Sequence, residues 1–138
     1  MTHRLLDASV WIAARDADDR HHAAARRLIA SSAQDAPLAA LDLTLYEVAN
    51  VAVRAWRAPD RARTLVSLVR EACPGTLVRV DDELVGKAIS LGEEHGLSVY
   101  DAAYVAAAQH HRWTLVSTDQ RDLVKPGHAV SPADALED

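Results

Sequence analysis

Short apolar runs alternate along this chain with longer stretches whose apolar residues recur three and four positions apart. The runs are too brief for helices and are predicted to be strands: residues 4–6, 37–41, 76–80, 114–116 and 128–130. Strands that alternate with single or paired helices are typical of a parallel sheet with helices on its faces. The pattern therefore predicts one α/β domain over residues 1–138, with three layers and a parallel sheet of four to five strands. Residues 131–138 are expected to form a short frayed tail.

Two residues are predicted to mark helix ends. Pro59 suits a first helical turn, where its missing N–H group would have no partner in any case. Gly96 suits a helix end, because glycine takes the left-handed backbone conformation at little cost.

The composition narrows the chemistry that the chain can carry. A single cysteine, Cys73, excludes an internal disulfide and a cysteine-based zinc site. No run approaches the ~18 apolar residues of a membrane span, and Asp7 interrupts the start of the chain, so a soluble cytoplasmic protein without membrane contact is expected. The net charge of −5 argues against nucleic-acid binding driven by bulk charge.

Four carboxylates occupy equivalent places in this predicted fold. Asp7, Glu47 and Asp119 each follow a strand, and Asp101 opens an alanine-rich helix. Strand-to-helix turns of a parallel sheet share one edge, so these acids are expected to converge there. Carboxylates brought together repel and raise one another's pKa unless a cation neutralises them. Oxygen ligands favour hard cations, and the sequence therefore predicts a site for Mg²⁺ or Mn²⁺.

Each of these acids also fits a purely structural role at a helix start. Thr44 with Glu47, and Ser98 with Asp101, both match a capping box, while Asp7 fits a plain N-cap. Acids in first turns are also favoured by the helix dipole. Capping is the better interpretation for any one acid alone, whereas four acids at one edge of a sheet favour a metal site.

The four acids lie in short motifs whose order and spacing are more specific than any one of them. The motifs are Asp7-Ala-Ser9-Val, Thr44-x-x-Glu47-x-x-Asn50, Ser98-Val-Tyr-Asp101-Ala-Ala-Tyr-Val-Ala, and Ser117-Thr-Asp119 followed by Asp122. Over nearly the whole chain they resemble the PIN-domain ribonucleases, most closely the VapC-type toxins of bacterial toxin–antitoxin pairs. The resemblance implies a PIN-like fold and Mg²⁺- or Mn²⁺-dependent endoribonuclease cleavage of RNA. It also implies a homodimer that is neutralised by a cognate antitoxin.

The resemblance further implies roles for individual residues. The metal-binding and catalytic acids that it implies are Asp7, Glu47, Asp101 and Asp119. Asp7 and Asp101 are the expected direct metal ligands, and Glu47 orients a metal-bound water or acts as general base. Asp119 completes the surroundings of the metal. Four residues are expected to support these acids through hydrogen bonds: Ser9, Thr44, Ser117 and Asp122. Asp122 fits equally well as an ordinary surface acid.

Basic residues are densest at the end of one predicted helix and the start of the next. The members of this arginine cluster are Arg54, Arg57, Arg61 and Arg63. Guanidinium groups pair with phosphate through two parallel hydrogen bonds, so the cluster is a candidate RNA contact. A solvated helix face explains it equally well.

Two other functions remain open from the sequence. A receiver-like phospho-acceptor signalling domain also places acids at the strand ends of a parallel sheet, with Lys125 as a phosphate-pairing lysine. Its acceptor is expected after the middle strand, where Asp81 instead fits a helix cap. A DNA-directed nuclease of the same superfamily is the other alternative.

Without the four acids the chain carries 16 acids against 15 bases, so RNA recognition is expected to depend on local arginines, shape and metal.

Overall fold

The structure, a computed structural model, describes residues 2–32 and 36–137. The strands are β1 (Arg4–Leu6), β2 (Leu38–Leu41), β3 (Leu77–Val78) and β4 (Thr114–Val116). The helices are α1 (Ala8–Ala13), α2 (His22–Ala30), α3 (Leu43–Arg54), α4 (Pro59–Ala72), α5 (Asp82–His95), α6 (Val99–His111) and α7 (Pro132–Glu137), with a π-helical turn at Gln120–Val124. Within the described residues, no helix is long and apolar enough to cross a membrane.

The four strands form a parallel sheet in the order β3-β2-β1-β4. The predicted α/β fold, a parallel sheet flanked by helices, is therefore confirmed. Leu6 of β1 pairs with Val116 of β4, so the residues that follow these two strands emerge side by side. The strand taken as the middle of the sheet in the phospho-acceptor alternative is β3, which instead lies at the edge. That assignment is wrong because chain order and sheet order differ.

Apolar side chains cover both faces of the sheet. One layer contains the fully buried Trp11 together with Leu28 and Leu65 from α2 and α4. The other is built on α6, in which every residue from Ala102 to Ala108 is buried. Alanine permits this, because its small side chain lets α6 lie close to both the sheet and its neighbouring helix. Burial on all sides fixes where α6 begins, and with it the position of Asp101.

Two helix ends agree with the prediction from the sequence. Pro59 is the first residue of α4, and Gly96 ends α5 with a left-handed backbone at φ 68°.

Two predictions at the end of the chain are wrong. Residues 128–130 do not form a fifth strand, since Val130 makes only a single parallel bridge with Val116. The predicted frayed tail contains α7, whose Ala135 is fully buried. The buried guanidinium of Arg4 donates a hydrogen bond to the Ala135 carbonyl oxygen at 2.6 Å. A buried arginine needs such an acceptor, which anchors the last helix to the first strand.

Candidate functional site

Asp7 lies at the carboxyl end of β1, where it caps α1 and is 5% exposed. Its Oδ1 accepts hydrogen bonds from the Ser9 backbone N–H at 3.1 Å and from the Ser9 hydroxyl. Its Oδ2 accepts from Ser117 Oγ at 2.5 Å. Burial raises the pKa of Asp7 from 3.8 to about 6, although both serines lower it, and the charges of Asp101 and Glu47 raise it further. An ionised Asp7 is thus costly without a nearby cation.

The two serines also hold the turn that follows β4. Ser9 Oγ accepts a hydrogen bond from the Thr118 backbone N–H at 3.0 Å, and Ser117 Oγ accepts from that of Asp119 at 3.0 Å. Each hydroxyl therefore donates to Asp7 and accepts from the turn. Because β1 and β4 are neighbours, this network connects the Asp7 carboxylate to the backbone of Asp119.

Three carboxylates form a tighter cluster beside Asp7. One oxygen each from Asp101, Asp119 and Asp122 lies within 4.8 Å of the others. Burial raises the pKa of Asp101, and the charges of Asp119 and Asp122 raise it further. The Asp122 carboxylate also pairs with the exposed Arg121, at 3.1 Å and 3.2 Å. Asp122 is therefore part of the acidic cluster, beyond the supporting or surface role expected for it.

Glu47 faces this group from α3, inside the second helical turn. Its Oε1 accepts a hydrogen bond from the Tyr104 hydroxyl at 2.6 Å, and that hydroxyl lies 2.6 Å from Thr44 Oγ1. Burial raises the pKa of Glu47, the Tyr104 hydrogen bond lowers it and the charge of Asp101 raises it. Burial beside Glu47 also raises the pKa of Tyr104, which keeps its proton.

Tyr104 is the site residue that the sequence reasoning missed. It lies one helical turn after Asp101 on α6, between the buried Ala103 and Val105. A tyrosine hydroxyl inside such an apolar segment needs a hydrogen-bond partner, because an unpaired polar group is costly to bury. The need for such a partner was the sign in the sequence that Tyr104 belongs to the site, and Glu47 is the partner.

The capping interpretations have different outcomes. Thr44 lies inside α3, which begins at Leu43, and its hydroxyl contacts Tyr104, so the capping box with Glu47 is wrong. Ser98 does cap α6 by accepting from the Asp101 N–H at 3.0 Å. Asp7 caps α1 through the Ser9 N–H, so capping and the acidic site coincide there.

The arginine cluster lies away from the carboxyl edge, at the end of α3 and the start of α4. Its members are Arg54, Arg57, Arg61 and Arg63, all exposed. Arg61 donates to the Arg15 carbonyl oxygen at 2.7 Å and stacks over the Trp56 ring at 4.1 Å. Arg63 pairs with Asp60 at 3.1 Å. Two of the four guanidinium groups thus have partners within the protein, and RNA contact by this cluster stays a prediction.

The donor set suits a hard divalent cation. Oxygens of Asp101, Asp119 and Asp122 form the close cluster, and Asp7 and Glu47 lie near enough for the charge of Asp101 to act on both. Burial and neighbouring charges raise the pKa of Asp7, Glu47 and Asp101. Ionised together, these acids destabilise one another, and a cation held between them offsets that repulsion. Oxygen ligands of this kind match the preference of Mg²⁺ and Mn²⁺.

Known protein families include one that matches this chain over most of its length. The profile of the PIN domain family matches residues 4–128. The chain belongs to the PIN-domain family. One relative, Ribonuclease VapC3 of Pyrobaculum aerophilum, is 33% identical to this PIN domain in a 132-residue alignment that covers 93% of this chain and 98% of the relative. The resemblance to VapC-type PIN domains is thereby confirmed.

Solved structures share this fold. VapC20 of Mycobacterium tuberculosis, described as a sarcin-ricin loop cleaving toxin, superposes with a TM-score of 0.73 at 22% identity, covering 90% of this chain and 95% of that one. A toxin–antitoxin complex from Klebsiella pneumoniae gives a TM-score of 0.67 at 22% identity, with 94% and 97% covered. PIN-family membership does not favour the phospho-acceptor alternative.

Proposed function

We propose that this PIN domain is a divalent-metal-dependent endoribonuclease and the toxin of a toxin–antitoxin pair. The observation that carries the proposal is the convergence of Asp7, Glu47, Asp101 and Asp119 at one edge of the sheet, where burial and mutual repulsion favour a bound cation. A relative named as a ribonuclease and a structural neighbour described as an RNA-loop cleaving toxin support the same activity.

The carboxylates of Asp101, Asp119 and Asp122, whose oxygens lie within 4.8 Å of one another, would hold Mg²⁺ or Mn²⁺ together with the neighbouring Asp7. Such an ion, when bound, lowers the pKa of water and offsets the charge of a phosphodiester that the acids would otherwise repel. Ser9 and Ser117 hold Asp7 in place from two sides. The remaining chemistry depends on the protein's own groups.

Glu47 is suited to act as the general base. Tyr104 occupies only one of its carboxylate oxygens, Oε1, and fixes the orientation of the group. Its raised pKa makes it a stronger proton acceptor than an ordinary glutamate near neutral pH. Glu47 takes a proton from the attacking water as the water oxygen bonds to phosphorus. The bond to the 3′ oxygen breaks, and that oxygen takes a proton from solvent. The products are a 5′-phosphate and a 3′-hydroxyl.

Protein partners are supported by the surface of the domain. Among the residues that the structure describes, six large apolar side chains are exposed, on α3, α5 and α6: Tyr46, Val53, Val85, Ile89, Val99 and Tyr100. Apolar groups of this size favour association with another protein surface. These surfaces fit a second copy in a homodimer and a cognate antitoxin. Structural neighbours include VapBC assemblies from Rickettsia felis and Salmonella typhimurium. The domain itself is proposed to act on RNA in the cytoplasm.

The proposal is tested by incubating the protein with single-stranded RNA and, side by side, with single-stranded DNA of the same sequence. Cleavage of RNA is expected with Mg²⁺ or Mn²⁺ and none with EDTA. Asp101→Asn should abolish cleavage, whereas Asp82→Asn, an exposed first-turn acid of α5, should not. Preferred cleavage of DNA would favour the DNA-directed alternative, and full activity of Asp101→Asn would contradict the assignment.

A further inference from the structure

A groove adjoins the acidic site on the side of the loop between α1 and α2. Its volume is about 560 Å³, and its walls are formed by residues 19–21 of that loop and by residues 118–122 of the turn after β4. Asp119 and Asp122 line the groove and also belong to the carboxylate cluster. The groove therefore leads directly to the proposed point of cleavage.

One side of the groove belongs to a loop in which two of the three acids accept hydrogen bonds from the loop's own backbone. Asp16 Oδ1 accepts a hydrogen bond from the Asp18 N–H at 3.1 Å, and Asp19 Oδ1 accepts from the His21 N–H at 2.8 Å. These bonds hold the loop in a fixed turn and partly satisfy two of its negative charges. The exposed Arg20 lies between Asp19 and His21 and is the cation that this loop presents.

The turn after β4 also presents a guanidinium group at this groove. Arg121 has an 89% exposed side chain and contacts Asp122 through Nε and Nη2. A guanidinium group has five N–H donors, so at least three remain for another acceptor. Asp122 also orients Arg121, which lowers the entropy cost of using those donors.

We propose that this groove holds the RNA backbone beside the scissile phosphate, with Arg20 and Arg121 contacting flanking phosphates. The inference rests on the proposed ribonuclease function and assigns it a substrate path. With a net charge of −5, the protein as a whole does not attract RNA, so cations next to the acidic cluster have to offset the repulsion locally. The two arginines that line the groove suit this purpose, because their planar donors match phosphate oxygens.

The test compares Arg20→Ala with Arg26→Ala, a matched change at an exposed arginine on α2 that does not line the groove. Steady-state cleavage of a single-stranded RNA oligonucleotide is measured with Mg²⁺, together with its binding constant over a range of salt concentrations. Arg20→Ala should raise KM about threefold to tenfold and leave kcat nearly unchanged. The plot of the logarithm of the binding constant against the logarithm of salt concentration has a negative slope. This slope should become less steep by roughly 0.7, the value for one lost phosphate contact to a single strand. Arg121→Ala should make the slope less steep by a similar amount.

Each result bears on a different claim. If Arg20→Ala and Arg26→Ala share the KM and salt slope of the wild type while RNA is still cleaved, the groove assignment is overturned and the nuclease stands. If the wild type cleaves no RNA with either divalent ion, the proposed function itself fails. Because Arg20 is exposed, its replacement should leave the unfolding temperature unchanged.

Discussion

The Tyr104 hydroxyl joins α6 to α3 by donating a hydrogen bond to Glu47 at 2.6 Å, 57 residues away in the chain. The tyrosine has one hydroxyl proton, and it goes to Glu47, so Thr44 donates its own proton to the Tyr104 oxygen at 2.6 Å. A buried chain of two hydroxyl groups thus orients the carboxylate that we propose as the general base.

Tyr104→Phe should weaken both the fold and the reaction. The change removes the donor to Glu47 and leaves the buried Thr44 hydroxyl without its partner, which should lower the free energy of unfolding by about 1–3 kcal/mol. Cleavage should slow but persist, because Glu47 itself remains. Chemical denaturation and RNA cleavage measure the two effects. The matched control is Tyr100→Phe, at a 63% exposed tyrosine of the same helix. An equal effect of both variants would contradict the role of the Tyr104 hydroxyl.

The metal-free protein should be less stable at pH 7 than at pH 5, because of Asp7. The native carboxyl keeps its proton up to a pH of about 6, whereas the unfolded one loses it near 3.8. The native state therefore binds more protons between these values, and the free energy of unfolding falls as pH rises through them, by on the order of 3 kcal/mol in all and about 1.3 kcal/mol between pH 5 and pH 7. Asp7→Asn should remove most of this dependence, and Mg²⁺ should restore stability to the wild type at pH 7. If the free energy of unfolding changes with pH in the same way for wild type and Asp7→Asn in EDTA, this prediction is contradicted.

Ser117→Ala should move metal binding to higher pH. The Ser117 hydroxyl stabilises the ionised form of Asp7, and its loss raises the pKa of that carboxyl further. Since a carboxyl must be ionised to bind a cation, Mn²⁺ affinity near pH 6.5 should fall several-fold and recover at pH 8. Calorimetric titration at the two pH values measures this. Ser67→Ala, at an exposed serine of α4, should behave as wild type. A loss of affinity equal at both pH values would assign Ser117 a purely structural role.

The edge at which the acids meet was predictable from the sequence because it depends on local patterns. Apolar runs alternating with helical stretches imply a parallel sheet, and Asp7 and Asp119 follow strands in that pattern. Their contact through Ser117 then follows from the pairing of β1 with β4.

Features that depend on tertiary contacts were not predictable in this way. The Tyr104 bond to Glu47 requires knowing how α6 packs against α3, and no local period encodes that. Asp122 enters the carboxylate cluster because the chain forms a π-helical turn after Asp119, where the sequence carries no distinct signal. The last helix was missed because tertiary contacts hold it: Ala135 is buried in the core, and its carbonyl oxygen accepts a hydrogen bond from Arg4.

Direct titration of the metal-free protein with Mn²⁺ tests the central claim that these carboxylates jointly bind a divalent cation. Calorimetry on wild type, Asp101→Asn and the exposed control Asp82→Asn should show binding to wild type and control. Affinity should fall at least about tenfold for Asp101→Asn, while its metal-free form stays as stable as wild type or gains stability, because a repelled charge is removed. Unchanged Mn²⁺ affinity in Asp101→Asn, or no saturable binding to the wild type, would contradict the account.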